Sequence, residues 1–261
     1  MNAKLERITP ETAASMLQLN TGNRPVVAKH VTAIAREITE GRWQINGDTV
    51  CFSDDRLVDG QHRLMAIIKA GIPIQTFVVR GISSESFITK DSGKRRCTAD
   101  AMAISGIPNS RAVSAIAKRI WLYQKYGHIR ESMATPSSAD LFELYEQNPG
   151  IQDSIKSVGI SKLITQALAA ALHYLFKQKD EAGADLFFAD LNSGANLNQD
   201  DPVFILRQRL VDNIASKSKL PESYISIITI KAWNFRREGK SAKQLRFRHV
   251  GESTEQHPVV K

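Results

Sequence analysis

Apolar positions recur at helical spacing in residues 26–41, where Val27, Val31, Ile34, Ala35 and Ile38 line one face before Gly41. The preceding segment, TPETAASMLQL (9–19), opens with Thr9 as a helix cap and Pro10 in the first helical position. Gly22 and Pro25 in TGNRP (21–25) separate the two helices. The pattern then changes period. INGD (45–48) predicts a turn, TVCFS (49–53) a short strand, and Leu57-Val58 a strand stub after a second turn. Residues 61–70 return to helical spacing, with Leu64, Ile67 and Ile68 on the apolar face. The β-branched run IPIQTFVVRGI (72–82) is the clearest strand.

Beyond residue 97 the strand signals fade. Helices are predicted over 98–105, 110–126, 137–147, 161–179, 181–191, 203–217 and 222–237, with a polar loop at 192–202. The pattern therefore predicts an α/β unit over residues 1–96, an α-helical unit over 97–249, and a mobile tail from 250 to 261.

Composition narrows the class. No apolar stretch in the 261 residues approaches the roughly 20 needed to cross a bilayer, so no membrane partner is expected. The first residues lack the apolar core of a signal peptide, which predicts a cytoplasmic protein. The two cysteines, Cys51 and Cys97, have no metal-ligand spacing and read as buried reduced thiols. His173 lies in an apolar helix and reads as a core residue with its ring nitrogens satisfied. The formal net charge of +8 points to a polyanionic partner. Positive residues concentrate at KDSGKRR (90–96), including Lys94, Arg95 and Arg96, and at 231–249, including Arg236, Arg237, Arg246 and Arg248. Those stretches read either as solvated basic faces or as contacts to a nucleic-acid backbone, and the 90–96 stretch also as a loop closing over a nucleotide. Phe235 and Phe247 among the bases are candidates for stacking on unpaired bases, whereas Trp233 reads as a core anchor.

The stretch LVDGQHRLMA (57–66) carries the most chemistry. A helix start offers unpaired backbone N–H groups and a partial positive charge. Gly60 lets a phosphate approach them, Arg63 can bind phosphate oxygens bidentately, and His62 adds a donor. Asp59 reads as a cap or as a metal ligand, and Asp48 as a turn residue, a general base or a metal ligand. Arg24 in GNRP reads either as an exposed loop arginine or as a second phosphate contact. If Asp48 and Asp59 flank neighbouring strand ends, both can converge on one phosphate-bound Mg²⁺.

DGQHR (59–63) resembles the signature of the ParB/sulfiredoxin-like superfamily. With ITPETAASML, GRWQINGDTVCF, ITKDSGKRRCTADAMAISG and KAWNFRREGKSAKQLRFR, the chain is similar over most of residues 5–249 to a phage and prophage branch often labelled ParB-like nuclease. The resemblance implies a small mixed-sheet ParB/sulfiredoxin-like domain followed by an α-helical domain. It also implies a nucleotide-phosphate pocket at Gly60, Gln61, His62 and Arg63, holding ATP or CTP with Mg²⁺. Sulfiredoxins carry a cysteine where this chain has Gln61, so sulfinate reduction is disfavoured. Partition proteins carry an Arg-Arg core and a helix-turn-helix, and neither is evident here.

The expected function is thus a nucleoside-triphosphate-binding protein acting on or with DNA by phosphoryl transfer or nucleotide hydrolysis, with Asp48, Asp59 and His62 as candidate catalytic groups. The alternatives are a Mg²⁺-dependent nuclease and a noncatalytic DNA-binding or regulatory module. A homodimer is one candidate assembly, and a phage-encoded chain would work in the cytoplasm of its bacterial host.

Overall fold

The computed structural model describes residues 1–83, 97–130, 135–159, 161–195, 197–248 and 255–261. It has a small mixed sheet in the N-terminal part and helices thereafter. The chain divides into one compact unit of Met1–Arg96 with Ala134–Ala139, and a second of Cys97–Met133 with Asp140–Lys261.

In the first unit, β1 (Asn2–Ile8) leads through α1 (Pro10–Leu17) and α2 (Ala28–Thr39) to β2 (Thr49–Ser53), β3 (Arg56–Asp59), α3 (Gln61–Ala70) and β4 (Ile74–Arg80). The sheet order is β1-β4-β2-β3. β4 runs parallel to β2, α3 being part of the crossover, and its other edge pairs antiparallel with β1. β2 and β3 form an antiparallel hairpin whose turn carries Asp54 with a left-handed backbone, φ 51°. Ile74, Thr76 and Val78 alternate inward along β4. Together with Ile8, Val50, Phe52 and Leu57, Ile74 and Val78 meet Met16, Val31, Ala35, Ile38, Leu64 and Ile67 of the helices in one core.

α1 begins as its sequence predicts: Thr9 Oγ1 accepts from the Thr12 N–H, and Pro10 opens the helix. β1 has no counterpart in the periodicity analysis. Among its seven residues only Ile8 is buried and Leu5 is largely exposed, so pairing with β4, rather than burial, makes it a strand.

The second unit contains α4 (Thr98–Ile104), α5 (Ser110–Tyr126), α6 (Ser138–Gln147), α7 (Ile151–Ser157), α8 (Gln166–Lys177), α9 (Glu181–Ser193), α10 (Pro202–Ala215) and α11 (Glu222–Arg237). α8 is buried on nearly every side, and its Phe176 stacks on Trp233 of α11 with ring centroids 4.5 Å apart. The sequence predicts one helix over 161–179. The observed helix starts later, because the Thr165 side chain caps it by accepting from the Leu168 N–H. α7 goes unpredicted.

The expected mobile tail is corrected for its last residues, which dock on the helices. Trp233 Nε1 donates to Lys261 O (3.0 Å), and Asn234 Nδ2 donates to Val259 O (2.8 Å). The Val260 N–H donates to the Tyr123 hydroxyl (2.8 Å), and the Val260 side chain is buried. Residues 250–254 lie outside the described residues. The cysteine expectation is corrected at one position: Cys51 is buried, but Cys97 is exposed and donates to Asp100 Oδ2 at 3.1 Å.

Candidate functional site

The start of α3 is shaped by Gly60. Its φ is +100°, and a Cβ there would lie 3.0 Å from Val50 Cγ2 and 3.1 Å from Val50 Cα. Only glycine accepts that backbone and lets the turn press against β2. No side chain caps α3, and its first turn holds no acid. The helix start therefore has no acid within its first turn to offset its partial positive charge, and the nearest carboxylate is that of Asp59 before the N-cap. Asp59 Oδ1 accepts from the Gly60 N–H at 2.7 Å, just ahead of the helix.

The next three residues are each tied to a neighbouring element. Gln61 is 5% exposed, and both ends of its carboxamide are engaged. Its Oε1 accepts from Asn20 Nδ2 (3.1 Å), and its Nε2 donates to the Arg24 carbonyl (2.8 Å). Asn23 Nδ2 continues the chain, donating to Asn20 Oδ1 (2.5 Å) and Leu57 O (2.7 Å). The Leu57 N–H donates in turn to Leu19 O (2.9 Å), so β3 holds the same loop. His62 Nε2 accepts from the Val27 N–H at 3.1 Å, which requires the ring proton on Nδ1. The His62 ring also meets His30 edge-on, with centroids 5.1 Å apart.

Val27 is the N-cap of α2, and that helix likewise has neither a side-chain cap nor an acid in its first turn. Two uncapped helix starts therefore meet through one hydrogen bond. The neighbouring Arg24 is exposed, and its guanidinium makes no hydrogen bond or ion pair among the described residues.

Arg63 Nη1 donates to the Thr49 carbonyl, and Nη2 lies 3.5 Å from Asp48 Oδ2. The Asp48 side chain is 58% exposed, and its N–H closes a turn on Asn46 Oδ1 at 3.0 Å. The strand register pairs Asp59 with Cys51, and Asp48 lies three residues before Cys51, just ahead of β2. At about 3.3 Å per residue this is roughly 10 Å. The strand register by itself gives no convergence of Asp48 and Asp59 on one Mg²⁺. Each carboxylate has its own partner: Arg63 for Asp48 and the Gly60 N–H for Asp59.

The structure thus gathers Arg24, Asp59, Gly60, Gln61, His62 and Arg63 around one helix start, and Asp48 reaches it through Arg63. The sequence places Asn23 in the turn before Arg24 but marks neither it nor Asn20 as a site residue. Their only signal was two amides flanking Gly22 in a polar loop.

In the helical unit, many C-terminal bases are neutralised within the fold. Arg236 pairs with Asp190, and Lys231 with Glu255 at 3.0 Å. Arg237 lies over the Trp233 ring, 5.6 Å from its centroid. Lys240 and Lys261 beside Glu238 pull its carboxyl down to about 2. Arg237, Arg246 and Arg248 remain exposed. Phe247 is buried, so the expectation that it stacks on bases is corrected, while Trp233 is the core anchor its sequence context predicts. Lys94, Arg95 and Arg96 lie outside the described residues.

A second constellation resembles catalytic machinery and is built differently. His173 Nδ1 bonds to Ser154 Oγ and its Nε2 to Asp185 Oδ1, both at 2.9 Å. Ser154 is fully buried, so no substrate reaches its hydroxyl. Burial holds the His173 ring below the usual imidazole range, although hydrogen bonding to Asp185 opposes this. This is a satisfied core histidine, as its sequence context predicts.

No protein-family model, curated protein or solved structure matches this chain.

Proposed function

We propose that the joined starts of α2 and α3 bind the phosphates of a nucleoside triphosphate, ATP or CTP, and that the protein acts on or with DNA. The observation that carries this reading is the His62–Val27 bond between two helices, neither capped by a side chain nor bearing a first-turn acid. Oriented N–H groups at such ends favour anions. Arg24 and Arg63 supply the charge-assisted contacts. Asp48 is a solvent-exposed competitor for Arg63 that a phosphate can displace, since exposed ion pairs are weak. The similarity of DGQHR to the ParB/sulfiredoxin-like signature supports the same choice of ligand.

Phosphoryl transfer or nucleotide hydrolysis suits such a site, because positioning and charge neutralisation supply most of that catalysis. A nuclease built on a shared Asp48–Asp59 metal draws no support from the strand register. A noncatalytic DNA-binding role is favoured by one observation, the exposed Arg237, Arg246 and Arg248 of the helical unit.

Calorimetry with ATP, CTP and GTP tests the reading. Arg24→Ala and Arg63→Ala are each expected to weaken binding by about 1.5–3 kcal/mol. Affinity unchanged in both variants, or no binding by the wild type, refutes the site.

A further inference from the structure

Gln61 occupies the first position of the helix that the proposed function uses, yet its side chain is turned toward the fold. A carboxamide has one acceptor and one donor end, and here both lead to the same loop. The acceptor takes Asn20 Nδ2, and the donor reaches the carbonyl of Arg24, four residues further on. Asn23 locks the intervening turn to Asn20 and to β3. His62, the next residue, takes the N–H of Val27. Three consecutive anchor points on the 20–27 loop are therefore held by two consecutive residues of α3. Arg24 sits between these anchors with its carbonyl fixed and its guanidinium exposed.

A conformationally restricted loop arginine binds an anion better than a mobile one, because its ordering cost is met before the ligand arrives. We propose that Gln61 is a positioning residue: through Asn20 and the Arg24 carbonyl it holds the 20–27 loop so that Arg24 faces the anion bound at the helix starts. The inference rests on the nucleotide reading for its ligand, and on the loop geometry alone for the strap. It makes Gln61 a residue whose contribution to binding passes through Arg24.

The test is a double-mutant cycle on the full chain with ATP as the probe, using Gln61→Met, Arg24→Ala and the double variant. Methionine keeps the length of the side chain and removes both hydrogen-bonding ends. Hydrogen exchange of residues 20–26 is followed in parallel. The expected result is that Arg24→Ala and Gln61→Met each weaken ATP binding more than tenfold, and that the double variant is within about twofold of Arg24→Ala alone. Exchange over 20–26 should quicken in Gln61→Met while β4 stays protected. Multiplying effects in the double variant, or unchanged loop exchange, overturn the proposal. If Gln61→Met does not fold, Asn20→Ala, which cuts the strap at its other end, is held to the same two criteria. If the wild type binds no ATP, the nucleotide reading fails separately, and loop exchange alone then decides the strap.

Discussion

His62 and His173 are both buried, both hydrogen-bonded and both in helices, and they teach opposite lessons about where chemistry lies. His173 closes a chain from the fully buried Ser154 to Asp185, inside a unit whose α8 is enclosed on nearly every side. Both ring nitrogens are satisfied, and the serine has no access to solvent. His62 instead joins two helix starts, its Nε2 accepting the N–H of Val27, and neither N-cap residue caps its helix with its own side chain. The hydrogen-bonded triad is the more enzyme-like to look at, yet the proposed anion site lies at the helix junction. What separates the two is access and uncapped polarity, not the identity of the residues.

The contrast breaks most forcefully in the helical core. Trp233→Ala removes the indole stacked on Phe176 and is expected to cost about 3–5 kcal/mol in urea unfolding. Nucleotide affinity of the folded fraction should stay within about twofold, because the indole belongs to the core and not to the helix junction. A loss of affinity comparable to that of Arg24→Ala would mean that the binding site lies elsewhere.

Gly60→Ala acts on the other region. A left-handed backbone with Val50 Cα 3.1 Å from the new Cβ predicts about 1–3 kcal/mol of destabilisation and loss of nucleotide binding. Unaltered calorimetry in this variant would remove the helix start from the site.

The histidines separate again with pH. Burial depresses the His173 pKa in the folded state, so the unfolded chain binds the extra proton. Stability from this group is complete above the ordinary imidazole value of about 6.5 and declines as pH falls through it, by at most about 1.4 kcal/mol per pH unit. Desolvation and Arg130 depress His128 in the same direction. Urea midpoints between pH 5 and 8 should show the decline, and His173→Gln should reduce its slope without erasing it. A slope equal to the wild type's would place the titration elsewhere.

The smallest effect concerns the exposed bases. Arg246→Gln should lower the salt dependence of duplex DNA binding by about 0.9 in log–log slope, measured by fluorescence anisotropy. Arg236→Gln, whose guanidinium is already paired with Asp190, should leave that slope nearly unchanged and lower stability instead. Equal slopes for the two variants would show that the fold does not sort these arginines.

Much of this architecture was legible from local pattern. α1, α3, α5 and α11 follow from apolar spacing and from punctuation such as Thr9-Pro10 and Gly71, because those signals act within a few residues. β1 was not legible, since a mostly exposed strand carries no apolar alternation to read. The site divides in the same way. Gly60 and Arg63 announce a phosphate-compatible helix start, but the assignment of Gln61 to the loop depends on Asn20, 41 residues away. The partners of Asp48 and Asp59, the Arg63 guanidinium and the Gly60 N–H, likewise come from the folded geometry and not from the strand pattern.

By itself, the sequence determined the helices with strong periodicity, the strands of the β2–β3 hairpin and β4, and a glycine-led helix start rich in donors. These are local consequences of side-chain spacing and backbone preference, so short segments suffice to specify them. Only the tertiary structure decided which donors remain exposed. It tied Gln61 and His62 to the 20–27 loop, directed Arg63 to Asp48 and Thr49, paired Arg236 with Asp190 and buried Phe247. The physical reason is that a polar group's availability depends on the partners that folding brings to it from distant parts of the chain, and local periodicity carries no information about them.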